Sequence, residues 1–389
     1  MSRIQNLDHQ YIASTYGRFP VVIKEGKGSV AVDENGRMLI DMGSGIAVNV
    51  FGYADERWKK AVISQLDKVS HTSNLYYTEP DVKLAKMLCD KSGMKKVFYC
   101  NSGAEANECA IKAARKYAAE KKGNDYYTII TLEHSFHGRT LTTLAATGQD
   151  VFHQLFTPLT PGFVHAKIND LEDVKRLAEE NKTAAIMIEC IQGEGGVNVL
   201  DEAFVQGIRE LCDEKDLIMI VDEVQTGNGR TGVHYSYQNY NILPDVVTTA
   251  KGLGGGLPIG VTMLSDKVEN IFAPGDNGST FGGNPVVCAG ACSILERLDS
   301  KMLAGVKQRS EYIFARLKDA RGVRSVSGMG LMIGIEPENG SAGDIANKCL
   351  EKGVLVLTAH GNKVRLLPAL NIPMDLLEKA MDIITEAFE

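Results

Sequence analysis

A lysine in the middle of the chain has the surroundings of a nucleophile. Lys251 follows the apolar run DVVTTA, and four of the five residues after it are glycine. A backbone so short of side chains suits close approach of a ligand rather than packing of the lysine. A partly desolvated amine of this kind can form a Schiff base. The alternative is a lysine that faces solvent at a strand end. No Gly-x-x-x-x-Gly-Lys-Ser/Thr pattern occurs, so a nucleotide-hydrolase role for Lys251 is excluded.

A carboxylate ends a second apolar run. Asp222 closes LIMIVD, and the segment GNGRTG (227–232) follows it. This segment satisfies the dinucleotide-binding glycine pattern, but the residues after it, VHYSYQNYN, are a poor start for a helix, and the acid precedes the glycines. We interpret GNGRTG as a false match and Asp222 as a fixed anion under a ligand. In pyridoxal chemistry such an anion keeps the pyridine nitrogen protonated. The alternative is an aspartate that caps a turn.

A third segment, NSGAEANECAIKAARKYAAE, starts at Asn101 directly after an apolar run. Ser102 and Glu105 have the spacing of a capping box, which predicts the start of a helix. The free N–H groups of this terminus, the serine hydroxyl and the bare Gly103 could cradle a phosphate. A well-capped helix without any ligand explains the same residues.

The elements that must position these residues form an α/β pattern. Six short apolar runs alternate with helical patterns: KKVFYC, YYTIIT, AAIMIEC, LIMIVD, DVVTTA and VTML. This alternation predicts βαβ units and a mostly parallel sheet that is covered on both faces. Ligands bind beyond the carboxyl ends of such strands. The residues that end or follow the runs are therefore expected to converge: Asn101 with Ser102, Glu189, Asp222 and Lys251.

The ends of the chain have a different texture. The segment SVAVDENGRMLIDM predicts a hairpin with a turn at Glu-Asn-Gly. After about residue 290 a long helical pattern, SILERL through FARLKDA, leads into a smaller α+β unit. We predict an N-terminal segment at 1–47 that packs with the small domain, a large ligand-binding domain at 48–290 and a small C-terminal domain at 291–389.

Composition argues for a small-molecule ligand. A net charge of -7 offers no basic stripe for a phosphate backbone, so nucleic acid is not an expected partner. The first twenty residues lack the features of a secretory signal, and no membrane-spanning run is visible. The eight scattered cysteines predict free thiols in a reducing cytoplasm, with neither a disulfide framework nor a metal site.

The motifs resemble those of the class III (subgroup II) aminotransferases of fold type I, over essentially the whole chain. They occur in the order of that family: GSGIAVNVFGY from Gly43, HTSNLYYTEP from His71, NSGAEANE, SFHGRT from Ser135, IQGEGG from Ile191, DEVQTGNGRTG, AKGLGGGLPIG, GSTFGGNP from Gly278 and RLLPAL from Arg365. The resemblance implies pyridoxal 5'-phosphate as cofactor, with transfer of an amino group between two substrates. It also implies a homodimer.

The resemblance assigns roles to residues around the cofactor. Lys251 would be the Schiff-base lysine, and Asp222 would pair with the pyridine nitrogen. The other cofactor contacts would be Val224 behind the ring, Phe136 on its other face, Gln225 near the ring hydroxyl, and Ser102, Gly103 and Ala104 at the phosphate. Thr280 would reach the phosphate of the neighbouring subunit's cofactor. Taken singly, Phe136 also fits a core position and Thr280 a turn.

The resemblance also assigns the substrate groups. Arg139 and Arg365 would bind carboxylates, and Glu194 would neutralise Arg365 when the bound amine has no carboxylate next to its reacting carbon. Arg139 alone would also fit a surface salt bridge. The amino acceptor would be 2-oxoglutarate.

The chain is most similar to family members that act on N2-acetylornithine, giving N-acetylglutamate 5-semialdehyde and glutamate in arginine metabolism. Similar ornithine δ-aminotransferases carry a tyrosine where this chain has Ile46, and an aliphatic side chain tolerates an acylated nitrogen. Succinylornithine, succinyl-diaminopimelate, ornithine and 4-aminobutyrate stay open as donors. Outside the family, a dinucleotide-dependent oxidoreductase and a non-catalytic ligand sensor are the alternatives.

Overall fold

The computed structural model describes residues 2–389. Its strands are β1 Ile23–Lys27, β2 Val30–Asp33, β3 Met38–Asp41, β4 Lys96–Cys100, β5 Thr128–Leu132, β6 Phe163–Ala166, β7 Thr183–Ile188, β8 Ile191–Gln192, β9 Asn198–Val199, β10 Ile218–Asp222, β11 Val246–Thr249, β12 Gly260–Leu264, β13 Val323–Met329, β14 Met332–Pro337, β15 Val354–Leu355, β16 Leu357–Ala359 and β17 Lys363–Leu366. Its α-helices are α1 Arg3–Tyr11, α2 Ser44–Ala47, α3 Glu56–Leu66, α4 Glu79–Ser92, α5 Gly103–Lys122, α6 Leu141–Ala146, α7 Leu171–Glu180, α8 Glu202–Glu214, α9 Pro285–Leu295, α10 Ser300–Leu317, α11 Ala342–Glu351 and α12 Met374–Phe388.

A seven-stranded sheet organises the molecule, in the order β4-β12-β11-β10-β7-β5-β6. Neighbouring strands are parallel except that β12 runs antiparallel to both β11 and β4. All six apolar runs identified in the sequence are strands of this sheet, so the predicted α/β fold with a mostly parallel sheet is confirmed. The seventh strand, β6, was missed because it is short, only partly buried and at the sheet edge.

The central strands are buried on both faces because helices cover each side. In β10, Ile218 and Ile220 pack in a cluster with Ala110 of α5. The alternate residues Met219 and Val221 belong to the cluster on the opposite face. This two-residue alternation is the side-chain period of a strand, and here both faces are apolar.

Three smaller sheets lie at the ends of the chain and beside the cleft. The predicted hairpin at Glu-Asn-Gly is present as β2 and β3, with Gly36 in the left-handed region at φ +83°. β15, from the C-terminal part, adds to this sheet in parallel with β3. A second sheet has the order β13-β14-β17-β16, and β8 pairs with β9. The predicted division at 47 and 290 stays a prediction; residue 290 lies inside α9.

The long helical pattern after residue 290 is two helices rather than one. α9 ends at Leu295, and α10 begins after Asp299, whose carboxylate accepts a hydrogen bond from the N–H of Met302 at 2.8 Å. An aspartate at this position stabilises a new helix start, which explains the break. All eight cysteines are free thiols, and all but Cys89 are buried. Across residues 2–389, no helix combines the length and the apolar character needed to cross a lipid bilayer.

Candidate active site

The carboxyl ends of the central strands open into a cleft of about 620 Å³. Its lining includes the residues that follow or end four strands: Ser102 after β4, Glu189 after β7, Asp222 in β10 and Lys251 after β11. The structure therefore brings together the four positions that sheet topology had indicated. This is the edge at which an open parallel sheet binds ligands.

Ten of the twelve residues proposed from the sequence line this cleft: Ser102, Gly103, Ala104, Phe136, Arg139, Glu194, Asp222, Val224, Gln225 and Lys251. Arg365 lies behind Glu194 and contacts it directly. Thr280 is different, because it is exposed and lies outside the lining of its own chain's cleft.

Asp222 is held firmly at the end of β10, where it is only 4% exposed. One carboxylate oxygen, Oδ2, accepts hydrogen bonds from Nδ2 of Asn107 at 2.8 Å and from Nδ1 of His137 at 2.9 Å. The other, Oδ1, accepts from the N–H of Val224 at 3.0 Å. The amide oxygen of Asn107 is itself fixed by the hydroxyl of Thr248 on the next strand. A buried carboxylate with these partners is a preorganised anion.

Lys251 begins a short 3₁₀ turn directly after β11 and has a left-handed backbone at φ +42°. A non-glycine residue in this region is strained, and such strain persists where the surroundings hold the residue in place. Burial lowers the pKa of the Lys251 amine. The Glu194 carboxylate opposes this effect, and the Arg365 guanidinium adds to it. The amine thus loses its proton more readily than a free lysine.

Helix α5 presents its N-terminus to the same cleft. The hydroxyl of Ser102 accepts a hydrogen bond from the N–H of Glu105 at 3.2 Å, as the capping-box spacing predicts. The Glu105 carboxylate binds one residue earlier than in a standard box, because it accepts from the N–H of Asn101 at 2.9 Å. The N–H groups at the start of this 20-residue helix provide an anion site.

Val224 and Phe136 both line the cleft. A Cβ on Gly103 would meet Cγ1 of Val224 at 2.7 Å, so only glycine allows the start of α5 to approach Val224 this closely. Phe136 also lines the cleft and supplies an aromatic face. An anion site, an aromatic face, a buried carboxylate and an amine of lowered pKa together fit the phosphate, ring, ring nitrogen and carbonyl carbon of pyridoxal phosphate.

Arg365 is almost fully buried and is neutralised by polar neighbours. It lies on β17, where its backbone is in register with Gly334 of β14. Nη1 donates to Oε1 of Glu194 at 2.7 Å and to Oε1 of Gln225 at 3.1 Å, and Nη2 donates to Oε2 of Glu194 at 3.2 Å. Burial raises the pKa of Glu194, but Arg365 and Lys251 outweigh burial, and the net pKa is below its usual value.

Arg139 has a different environment. Its Cζ lies 3.9 Å from the ring centroid of Phe152 and 5.3 Å from that of Phe136. In the part of the chain from residue 2 to 389, Arg139 makes no ion pair with a carboxylate. The side chain is exposed, so its guanidinium is available to a ligand in the cleft.

Four further residues belong to the site, although their roles were not recognised in the sequence. His137 and Asn107 orient Asp222, as described above. Glu189 accepts from the N–H of Phe136 at 2.9 Å, and burial raises the pKa of its carboxyl group. Tyr16 lines the cleft from the N-terminal segment. A strand-end position marked Glu189, whereas a lone tyrosine in STYGRFP carries no comparable signal.

The GNGRTG segment does not precede a helix, as expected for a false dinucleotide match. Asn228 and Gly229 are left-handed, and the next regular element is a five-residue 3₁₀ turn at Ser236–Tyr240. Arg230 is fully buried and donates to the carbonyl of Leu331. The segment therefore makes contacts inside the protein.

Ile46 lies in α2, which is a single turn with a left-handed backbone rather than a regular α-helix. Four consecutive residues, 44–47, have positive φ, and Ile46 itself is at φ +59°. A β-branched residue in this region is a conformational outlier. The turn is held by Asp41, whose Oδ1 accepts from the N–H groups of Gly43 and Ser44, at 2.8 and 2.9 Å. Ile46 is 40% exposed, and it is Val48, two residues on, that lines the cleft.

Known proteins resemble the chain over almost its full length. The model of the aminotransferase class-III family matches residues 11–388. The acetylornithine aminotransferase of Haemophilus ducreyi is 49% identical over 385 residues, covering 99% of this chain and 98% of that protein. A succinylornithine transaminase of Salmonella paratyphi A is 42% identical, covering 97% and 94%. A solved structure of the ornithine aminotransferase of Toxoplasma gondii, described with partial occupancy of PLP at its active site, has a TM-score of 0.94 at 30% identity, covering 99% and 93%.

Proposed function

This chain belongs to the class-III aminotransferases and is a pyridoxal-phosphate-dependent enzyme, and we propose that it transfers the amino group of N2-acetylornithine to 2-oxoglutarate. The products are N-acetylglutamate 5-semialdehyde and glutamate. The first substrate carries its reacting amine far from its carboxylate. The second has a carboxylate directly beside the reacting carbon. One cleft must accept both.

The observation that carries this proposal is the ion pair between Arg365 and Glu194. A buried guanidinium without a partner is costly, so Glu194 stabilises Arg365 while a donor without an adjacent carboxylate is bound. When 2-oxoglutarate enters, its carboxylate next to the reacting carbon replaces Glu194 at Arg365. Gln225 contacts both partners and can keep one hydrogen bond to Glu194 when it moves away. Arg139 binds the distal carboxylate of either substrate.

The acyl group is inferred from two features. The relatives described above include enzymes named for acetylornithine and succinylornithine, which share an acylated α-nitrogen. The residue of the 44–48 turn that lines the cleft, Val48, is apolar and offers no acceptor for a charged α-ammonium group, and an amide tolerates that environment better than an ammonium does. We therefore expect free ornithine to be a poorer amino donor than the acylated compounds.

The chain's own residues would hold the cofactor and move the protons. Ser102, Gly103 and Ala104 would bind the phosphate, and Asp222 would hold the ring nitrogen in its protonated form. Val224 and Phe136 would enclose the ring. When bound, pyridoxal phosphate supplies an electron sink for charge on the reacting carbon and carries the amino group between the half-reactions.

Lys251 is the acid–base group of this scheme. Its Nζ takes a proton from the donor carbon that bears the amine, and in the second half-reaction it delivers one to the carbon that becomes Cα of glutamate. The lowered pKa favours the first of these steps, because more of the amine is neutral near pH 7. His137 and Asn107 keep the Asp222 carboxylate in place throughout.

We also propose that two copies of the chain form a homodimer in the cytoplasm and share their active sites, with Thr280 of each copy reaching the cofactor phosphate of the other. Exposed apolar side chains beside Thr280 support this assembly: Leu75, Tyr76, Tyr77 and Phe281. The free cysteines favour a reducing compartment.

A steady-state panel of amino donors tests the substrate. With 2-oxoglutarate as acceptor, we expect kcat/KM to be highest for N2-acetylornithine, followed by N2-succinylornithine, with ornithine and 4-aminobutyrate well behind. A higher kcat/KM for succinylornithine or succinyl-diaminopimelate would mean that the preferred donor carries a succinyl group, while the proposed reaction would stay the same. A preference for ornithine or 4-aminobutyrate would contradict the proposed donor.

A further inference from the structure

We propose that Phe152 is a positioning residue that holds Arg139 ready for the distal carboxylate of the substrate. The inference rests on the proposed function, in which Arg139 binds that carboxylate, and it extends the site to a loop that none of the aminotransferase motifs covers. Cζ of Arg139 lies 3.9 Å from the ring centroid of Phe152.

At this distance the guanidinium lies against the aromatic ring. An arginine over an aromatic ring is attracted electrostatically by the π system. This attraction uses none of the five N–H donors of the guanidinium, whereas an ion pair with an acid would occupy two of them. The fork of Arg139 therefore stays free for bidentate binding of a carboxylate.

Phe152 is itself fixed by the segment that carries Arg139. It ends a 3₁₀ turn, Asp150–Phe152, and its N–H donates to the carbonyl of Gln149. The side chain of Gln149 in turn donates to the carbonyl of Ser135 at 3.0 Å. The hydroxyl of Ser135 accepts from the N–H of Gly148 at 3.0 Å. The loop is thus joined to the SFHGRT segment just before Phe152.

Phe152 also contacts the side chain proposed to stack on the cofactor ring. The rings of Phe136 and Phe152 are arranged edge to face, with centroids 6.2 Å apart and planes at 81°. Such a geometry is favourable for an aromatic pair. Phe152 thereby contacts both Arg139 and Phe136 and sets the distance between them. An aliphatic side chain at this position would make neither aromatic contact.

The comparison of Phe152→Leu with Phe152→Tyr tests this role. We expect Phe152→Leu to raise KM for N2-acetylornithine and for 2-oxoglutarate by about 2- to 5-fold, the equivalent of one exposed cation–π contact, with a smaller change in kcat. Phe152→Tyr keeps the ring and should retain wild-type KM values. Val151→Ala, at an exposed neighbouring position, is the matched control and should leave both constants unchanged.

N-acetylputrescine is acetylornithine without its carboxylate, so a comparison of the two amines tests the contact between that carboxylate and Arg139. The wild-type preference for acetylornithine over this analogue should shrink in Phe152→Leu, because only the carboxylate-bearing donor uses Arg139. In an Arg139→Ala background, adding Phe152→Leu should cause no further loss of that preference. An equal loss for both amines, or an equal loss in Phe152→Leu and Phe152→Tyr, would overturn the proposal.

A wrong choice of donor can be distinguished from a wrong role of Phe152. If the wild-type enzyme prefers another donor with a remote carboxylate, the same pair of variants is measured with that donor and its decarboxylated analogue. A change in their ratio then supports the role of Phe152, although acetylornithine was the wrong donor. An unchanged ratio overturns it.

Discussion

Asp222 on the floor of the cleft is 4% exposed and has three hydrogen-bond donors, whereas Tyr16 on its rim is 73% exposed and comes from a segment whose helix α1 buries no residue. We use floor for the polar residues at the strand ends, Glu189, Asp222 and Lys251, and for the two that bind Asp222 from α5 and the SFHGRT segment, Asn107 and His137. We use rim for the residues on loops and exposed segments: Tyr16, Ile46, Arg139, Phe152 and Thr280. The hydrogen bonds that hold Asp222 on the floor are all made within one chain. The rim leaves apolar and charged groups exposed.

The difference separates two kinds of function. Floor residues are fixed by the hydrogen bonds and packing of a buried sheet, so they can supply preorganised electrostatics and proton transfer. In our proposal, rim residues decide which substrate enters and which subunit completes the site. Arg365 lies between the two groups, because it is buried like the floor and, in our proposal, exchanges Glu194 for the substrate carboxylate.

The largest expected effect comes from removing Lys251. If the floor supplies the proton transfer, Lys251→Ala should lower kcat by at least about 10²- to 10⁴-fold, the contribution of a positioned acid–base group. Borohydride reduction of the wild-type enzyme should bleach its yellow colour and fix the cofactor to Lys251, as read by peptide mapping. Lys267→Ala, a lysine outside the cleft, is the control. Cofactor fixed to any other lysine would contradict the assignment.

Asp222→Asn should cause the next largest loss. The amide keeps the shape of the side chain but loses the charge that His137 and Asn107 orient, and we expect kcat to fall by about 10²- to 10³-fold, as for loss of one preorganised electrostatic partner. Asp245→Asn is a matched control, because Asp245 is buried at the opposite end of neighbouring strand β11 and binds Arg209. That control should lower the thermal unfolding midpoint and retain kcat. Equal losses of kcat in both variants would mean that Asp222 is only structural.

Arg365 and Glu194 should affect opposite half-reactions. Arg365→Ala removes a buried partner of the 2-oxoglutarate carboxylate and should weaken that half-reaction by about 2–5 kcal/mol. Glu194→Ala leaves Arg365 unpaired when the donor is bound, so the donor half-reaction should lose more. Single-turnover absorbance changes of the bound cofactor separate the halves. Equal losses in both halves for both variants would show that the pair is an ordinary structural ion pair.

The floor could be predicted from the sequence because its positions follow from the sheet. Glu189, Asp222 and Lys251 each end or follow an apolar run, and parallel strands bring such positions to one edge. Asn107 and His137 lie inside recognised segments, but their bonds to Asp222 depend on how α5 and the SFHGRT segment pack against β10. The spacing of residues within either segment does not predict how that segment packs.

The rim could be predicted only in part. Arg139 and Thr280 were indicated by the family resemblance, whereas Tyr16 and Phe152 were not. Phe152 lies 13 residues after Arg139 in a loop without a periodic pattern, and their contact depends on the hydrogen bonds of Gln149 and Ser135. The sequence indicated that the aliphatic side chain of Ile46 could matter for the donor, but it did not predict the left-handed backbone at this residue.

A smaller effect than at the floor is expected for Thr280, the rim residue that we assign to the neighbouring site. In the single chain Thr280 is exposed, and its loop is tied to the segment 71–77 by Asn74, whose Nδ2 donates to the carbonyls of Ser279 and Gly282. Loss of its hydroxyl removes one hydrogen bond to a charged group, about 1.5–3 kcal/mol. We therefore expect Thr280→Ala to weaken cofactor binding by about 10- to 100-fold, and its activity to be low at limiting pyridoxal phosphate.

Mixed dimers test whether that residue acts across the subunit interface. A dimer of one Lys251→Ala chain and one Thr280→Ala chain would contain one site with both lesions and one intact site, so activity at limiting cofactor should return after subunit exchange, to about a quarter of the wild-type value in a 1:1 mixture. Mixing Lys251→Ala with Asp222→Asn is the control: both are floor residues of their own chain, neither site is intact, and activity should not rise above the residual level of Asp222→Asn. If exchange is verified by mass spectrometry and the first mixture stays as inactive as the second, Thr280 serves its own chain. The rim would then be complete within one subunit, as the floor is.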